Sequence, residues 1–120
     1  MKTLEKWQTI ISYKDYEFDG KYEISNWGNI RNRDTKVPLA TYSNNRGQGY
    51  LKTKITDKSK KRRIMYIHQL VAYFFVSGYD TNKEVNHKDG NAKNNSFSNL
   101  EWVSHKENVR HFYSNCRKEA

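Results

Sequence analysis

The stretch EVNHKDGNAKNNSFSNLEWVSHKENVRH, residues 84–111, decides how this chain folds. Glu84-Val85-Asn86-His87 reads as a short strand, closed by the turn signal Lys88-Asp89-Gly90-Asn91. A loop rich in Asn and Ser follows, and Leu100-Glu101-Trp102-Val103 reads as a second strand. Ser104-His105-Lys106-Glu107 then has the form of a capping box, with Ser104 as N-cap and Glu107 three residues on. A helix therefore starts here and runs through Asn108 to about Asn115, with Val109 and Phe112 on its buried side.

Upstream, IHQLVAYFFV (67–76) places Ile67, Leu70, Val71, Phe74 and Phe75 at the i, i+3, i+4, i+7, i+8 spacing of a helix buried along one stripe. It is expected to be the central core helix, stopped at Ser77-Gly78, with His68 structural. Before it, GYLKTKIT (49–56) puts Leu51, Thr53 and Ile55 on one strand face and Lys52 and Lys54 on the other. The turn DKSKKRR (57–63) leads into a second strand, giving a hairpin whose tip carries five positive charges, among them Arg62 and Arg63. Residues 22–33, YEISNWGNIRNR, form an earlier hairpin with Gly28 at its turn. The fold class is α+β: a small N-terminal β-hairpin module plus core helix, followed by a strand, strand, helix motif.

Composition narrows the partners. Twenty-two Lys and Arg against thirteen Asp and Glu give a net charge of +9 in 120 residues, which suits capture of a polyanion, nucleic acid first. Aromatic residues reach 14%, so the limited core is built largely from rings. The single Cys116 excludes an internal disulfide and a Cys-based zinc cluster, and the paired ligand spacing of a structural zinc module is missing. No apolar run approaches the ~18 residues of a membrane span, and MKTLEKWQTI lacks the apolar core of a signal peptide. The chain is read as cytoplasmic, without a disulfide partner or a membrane.

Breaking a phosphodiester takes a base to deprotonate water and a divalent cation held by oxygen ligands that leave positions open. His87, at a strand end before a tight turn, is expected to be exposed and able to act near neutral pH. Asn108, near the start of the helix, can reach back across the hairpin with an amide oxygen, a neutral ligand for a hard cation. Asp89 reads as a turn residue capping local amides.

Residues 84–111 closely resemble the HNH nuclease motif, in the variant whose third signature residue is Asn. The resemblance implies the ββα-metal fold and a divalent cation, Mg²⁺ or Mn²⁺. It assigns His87 as general base, Asn99 as the middle residue fixing the loop and hairpin, and Asn108 as metal ligand. Many relatives carry Asp immediately before the catalytic His; this chain has Asn86, a candidate second ligand without the charge. Neighbouring strand residues face opposite ways, so Asn86 and His87 serve one metal only if the strand twists or bulges.

WQTIISYKDYEFDGKYEISNWGNIRN (7–32) is similar to the NUMOD-type module that accompanies HNH domains in phage and intron-encoded homing endonucleases. The resemblance divides the chain into a DNA-contacting β module, 1–60, and an HNH domain, 61–120. It places Arg31, Arg33, Lys36, Arg46, Lys52 and Lys54 near the backbone of double-stranded DNA. Arg62, Arg63, His105 and Arg110 are further candidate contacts, and His111 is expected to pack over Trp102. The expected activity is a homing-type endonuclease from a phage or mobile element in a bacterial host, leaving a 5′-phosphate and a 3′-hydroxyl. The alternative is a DNA-binding or regulatory protein that keeps the fold and does not cut. One motif supplies one base and one metal, so a monomer that nicks is favoured.

Overall fold

The computed structural model describes residues 4–43 and 49–111. Strands β1 (Trp7–Thr9), β4 (Tyr22–Ser25) and β5 (Ile30–Asn32) form an antiparallel sheet in the order β1-β4-β5, with the small pair β2 (Ser12–Tyr13) and β3 (Tyr16–Glu17) between β1 and β4 in the chain. The hairpin around Gly28 is thus found in register, Ile24 opposite Ile30, and β1 joins it as an edge that the three residues Trp-Gln-Thr do not announce.

A second sheet, β6 (Tyr42–Ser43), β7 (Leu51–Thr56) and β8 (Arg62–Tyr66), contains the basic hairpin. Thr53 and Ile55 are buried and Lys54 is exposed, as the alternation requires. The expected division at residues 60 and 61 falls in the turn of this hairpin, where Asp57 accepts from the Lys61 backbone N–H and from Arg63.

Helix α1 (Ile67–Phe75) packs against β4, β7, β8, and the strands β9 (Glu84–His87) and β10 (Leu100–Val103). Ile67, Leu70 and Val71 are wholly buried; Phe74 and Phe75, at the helix end, are only half covered. One apolar cluster runs from Ile10, Phe18, Ile24 and Ile30 through Ile55 and the α1 stripe to Val85 and Leu100. Burying one Leu side chain contributes about 2 kcal/mol, so Leu70 and Leu100 help fix the two strand systems to one helix. β9 and β10 pair antiparallel, His87 opposite Leu100 and Glu84 opposite Val103. The helix α2, residues 105–111 as far as it is described, starts at the predicted cap: Ser104 Oγ accepts from the Glu107 N–H at 3.2 Å and donates to the Glu107 carboxylate at 3.1 Å. Val109, expected on its buried side, is 38% exposed, and Phe112 lies outside the described residues.

Candidate active site

His87 ends β9, and the structure corrects its expected exposure: it is 5% exposed. The cover comes from distant parts of the chain. Tyr50 lies nearly parallel to it at 5.8 Å between ring centroids, and His68 of α1 sits 5.1 Å away, itself stacked on Tyr50 at 4.5 Å. Burial pushes the His87 imidazole below its ordinary value of 6.5, while the bond to Asn95 and the charge of Asp89 pull the other way. His68, expected to be structural, is 4% exposed and is pushed down to about 3, first by burial and then by His87, so it is neutral at working pH.

The polar partner of His87 is Asn95. Its Oδ1 lies 2.7 Å from His87 Nε2, and Asn95 is itself 4% exposed. An amide oxygen facing the ring accepts from Nε2–H, which leaves Nδ1 with the lone pair. Asn95 is held from the N-terminal hairpin. The Phe97 N–H donates to the Asn26 carbonyl at 2.8 Å, and Gly28, at φ +94°, lies against Asn95 so closely that a Cβ there would be 3.0 Å from the Asn95 Cβ. Glycine is required at this turn by both its dihedral and that approach.

The Asn99 side chain makes its hydrogen bonds to the loop and not to His87. Its Nδ2 donates to Asp89 Oδ1 and to the Asn94 carbonyl, both at 2.9 Å, and its Oδ1 accepts from the Asp89 N–H at 3.1 Å. With the Lys88 N–H on the Asn99 carbonyl, these bonds close the 88–99 loop. Asp89 also accepts from Asn94 and the Asn91 N–H, which hold its carboxyl below the usual range. Its expected turn role is what the geometry displays.

The two candidate metal ligands bind different carboxylates. Asn86 Nδ2 donates to Glu101 Oε2 at 2.9 Å, and Asn108 Nδ2 donates to Glu84 Oε2 at 2.7 Å. Glu84 Oε1 lies 2.7 Å from His105 Nδ1, and these bonds from Asn108 and His105 keep the carboxyl below its ordinary range. A cavity of about 270 Å³ is lined by Tyr50, His68, Glu84 and Asn108 among others. Among the described residues no group of three His, Cys, Asp or Glu side chains is placed to hold a metal ion. Glu84 brings the cavity a carboxylate and Asn108 a side-chain amide, beside Lys14 and Lys83; the carboxylate, and the amide once its oxygen turns inward, are ligands of the kind a hard cation such as Mg²⁺ takes.

The expected DNA contacts divide. Lys52, Lys54 and Arg62 share the outer face of the β7–β8 hairpin with Ile64 and Tyr66, by the pairs Lys52 with Tyr66, Lys54 with Ile64 and Thr56 with Arg62. Tyr66 reaches the site through Tyr50, 6.3 Å away edge to face. Arg63 turns to the other side, bound to Asp57 at 2.8 Å and lying over Tyr16. Arg31 and Lys36 both bind Glu23, at 2.6 and 3.2 Å, and Arg31 covers the Trp7 ring at 3.5 Å. Arg33 pairs with Asp34, and Arg110 is exposed. Arg46 lies outside the described residues. His111 Nε2 is 3.0 Å from the Lys88 carbonyl, while the Trp102 indole donates to the Val76 carbonyl and meets Tyr79 edge to face.

Sequence reasoning missed Asn95, Tyr50 and Glu84 as parts of this site. Only Glu84 left a signal, since it sits two residues before Asn86 and so on the same strand face.

The chain as a whole is similar to known proteins. A family model described as HNH endonuclease matches residues 65–110, and one described as NUMOD4 motif matches residues 5–67. The chain is 36% identical over 114 residues to an uncharacterized HNH endonuclease of Acanthamoeba polyphaga mimivirus, covering 95% of this chain and 32% of that protein. It is 34% identical over 100 residues to the DNA endonuclease I-HmuI of Bacillus phage SP01, covering 82% and 56%. A solved structure of DNA binding and cleavage by the HNH homing endonuclease I-HmuI superposes with a TM-score of 0.77 at 34% identity, over 92% of this chain and 59% of that one. The chain therefore spans about a third of the mimivirus relative and a little over half of the phage one.

Proposed function

The chain belongs to the HNH endonuclease family, with a NUMOD4 motif ahead of the HNH residues, and from that premise we propose that it is a divalent-metal-dependent DNA endonuclease that hydrolyses phosphodiester bonds with His87 as general base. The observation that carries the reading is the buried His87–Asn95 pair. With Nε2 committed to Asn95, Nδ1 takes the proton from the attacking water, and a pKa below the ordinary histidine value keeps that nitrogen unprotonated at neutral pH. Tyr50 and His68 hold the ring in place and exclude bulk water from one side of it.

Asn108 would hold the cation, Mg²⁺ or Mn²⁺, which when bound neutralises the scissile phosphate and the leaving oxygen. Asn99 acts on this chemistry by fixing the loop that carries Asn95, a positioning role. Lys52, Lys54 and Arg62 present positive charge on one face continuous through Tyr66 with the site, suited to the backbone of double-stranded DNA. One base supports cutting one strand at a time, so a monomer nicks and leaves a 5′-phosphate.

Supercoiled plasmid incubated with the purified protein and Mg²⁺, Mn²⁺ or EDTA tests this. Open-circular product with either metal and none with EDTA is expected. DNA binding without cleavage in any divalent metal would instead leave a regulatory DNA-binding protein on the same fold.

A further inference from the structure

We propose that Glu84 supplies the negative charge of the cation site, beside Asn108, in place of the carboxylate absent at Asn86. The inference rests on the metal-dependent reading given above. Two neutral amides are a weak site for a hard dication, whose protein ligands normally include carboxylates. Asn86, a neutral amide, cannot supply the charge.

The register explains why Glu84 takes the place. Glu84 pairs with Val103, one residue before the cap of α2, whereas Asn86 pairs with Glu101, two residues farther along β10. Asn108 sits one turn into α2 and donates its amide N–H to the nearer of the two side chains, Glu84, at 2.7 Å, so a rotation of the amide about its last bond brings its oxygen to a cation that the carboxylate holds. Alternation keeps Glu84 and Asn86 on one strand face, so a carboxylate two residues earlier serves the side of the hairpin that an Asp at position 86 would serve.

Two further observations point to a ligand here. Glu84 and Asn108 both line the 270 Å³ cavity, with Lys14 and Lys83 also on its wall, and so does His68, which is 4% exposed and whose Nδ1 has no hydrogen-bond partner among the described residues. An orphaned buried nitrogen beside a polar cavity is satisfied by water, such as the hydration shell that Mg²⁺ retains. His105, three residues before Asn108 on the same helix face, holds the second oxygen of Glu84 and so orients the carboxylate.

Mn²⁺ binding to the purified protein, followed by calorimetry and by loss of the free-ion paramagnetic resonance signal, tests the assignment without reading cleavage. Glu84→Gln is expected to weaken Mn²⁺ binding by at least about tenfold, the lower end of what is lost when even an outer partner of a metal site is removed. Glu101→Gln leaves the affinity near that of the wild type. Adding Asn86→Asp to Glu84→Gln recovers binding, which a variant harmed only in folding would not do. Wild-type Mn²⁺ affinity in Glu84→Gln, with binding still lost in Asn108→Ala, would overturn the role of Glu84 and leave the metal-dependent reading standing. Absence of saturable Mn²⁺ binding by the wild type would overturn both.

Discussion

Replacing Asn95 with Asp puts a carboxylate where an amide oxygen now lies 2.7 Å from His87 Nε2. Both residues are at most 5% exposed, so solvent screens the new charge poorly. An opposite charge at such range raises a histidine by about 1–3 pH units, each worth about 1.4 kcal/mol. The sign follows from the base being the neutral form. In the wild type, burial holds His87 below 6.5, and the acid limb of the kcat/KM profile is expected there if His87 is the base proposed above. In Asn95→Asp that limb moves up by at least about one unit, so activity below neutrality falls while the alkaline plateau survives. Asn95→Ala leaves the limb low and lowers the plateau by about tenfold to a hundredfold, because the ring loses its tether and a buried N–H loses its acceptor. The assay is single-turnover nicking of plasmid across the pH range, with the imidazole titrated in parallel by NMR. An Asn95→Asp profile superimposable on the wild type would refute the argument that Asn95 sets the state of His87.

Other consequences follow from the same packing. Gly28→Ala, which forces a Cβ to within 3.0 Å of Asn95 at a positive φ, should cost on the order of 1–3 kcal/mol in urea unfolding and slow nicking while DNA affinity is kept. His68, neutral down to about pH 3 in the fold and titrating near 6.5 when unfolded, binds its proton only in the unfolded chain between those values. Stability should therefore decline as pH falls through that window, by up to about 1.4 kcal/mol per unit from this group, and His68→Phe should flatten the decline measured by denaturant titration. Leu70→Ala, in the wholly buried stripe of α1, should lower stability by about 2–5 kcal/mol and the melting temperature with it.

Elements whose signals are local were legible in the sequence. The Ser104 to Glu107 cap, the alternation of Leu51, Thr53 and Ile55, and the helical stripe of Ile67, Leu70 and Val71 each act over a few residues, and the structure has them in place. What escaped depends on contacts across the chain. His87 looks exposed at a strand end, yet Tyr50 and His68, 37 and 19 positions earlier in the numbering, close over it. Asn95 stands in a loop with Asn91, Asn94 and Asn99, and composition does not distinguish the one that turns inward against Gly28 from those that close the turn. Arg31 and Arg63 count as positive charge in the sequence, but Glu23 and Asp57 already hold them. β1 is too short to show a period, and pairs because β4 offers it an edge.

The central claim, that His87 is the base of a DNA-cutting site, is tested most directly by the single-turnover rate of His87→Ala with saturating Mg²⁺, measured beside its affinity for the same DNA. The variant should bind as the wild type does, since the cations of the β7–β8 face are untouched, and should cleave slower by a factor of about 10²–10⁴ or fail to cleave. Cleavage at the wild-type rate, with DNA affinity unchanged, would contradict it.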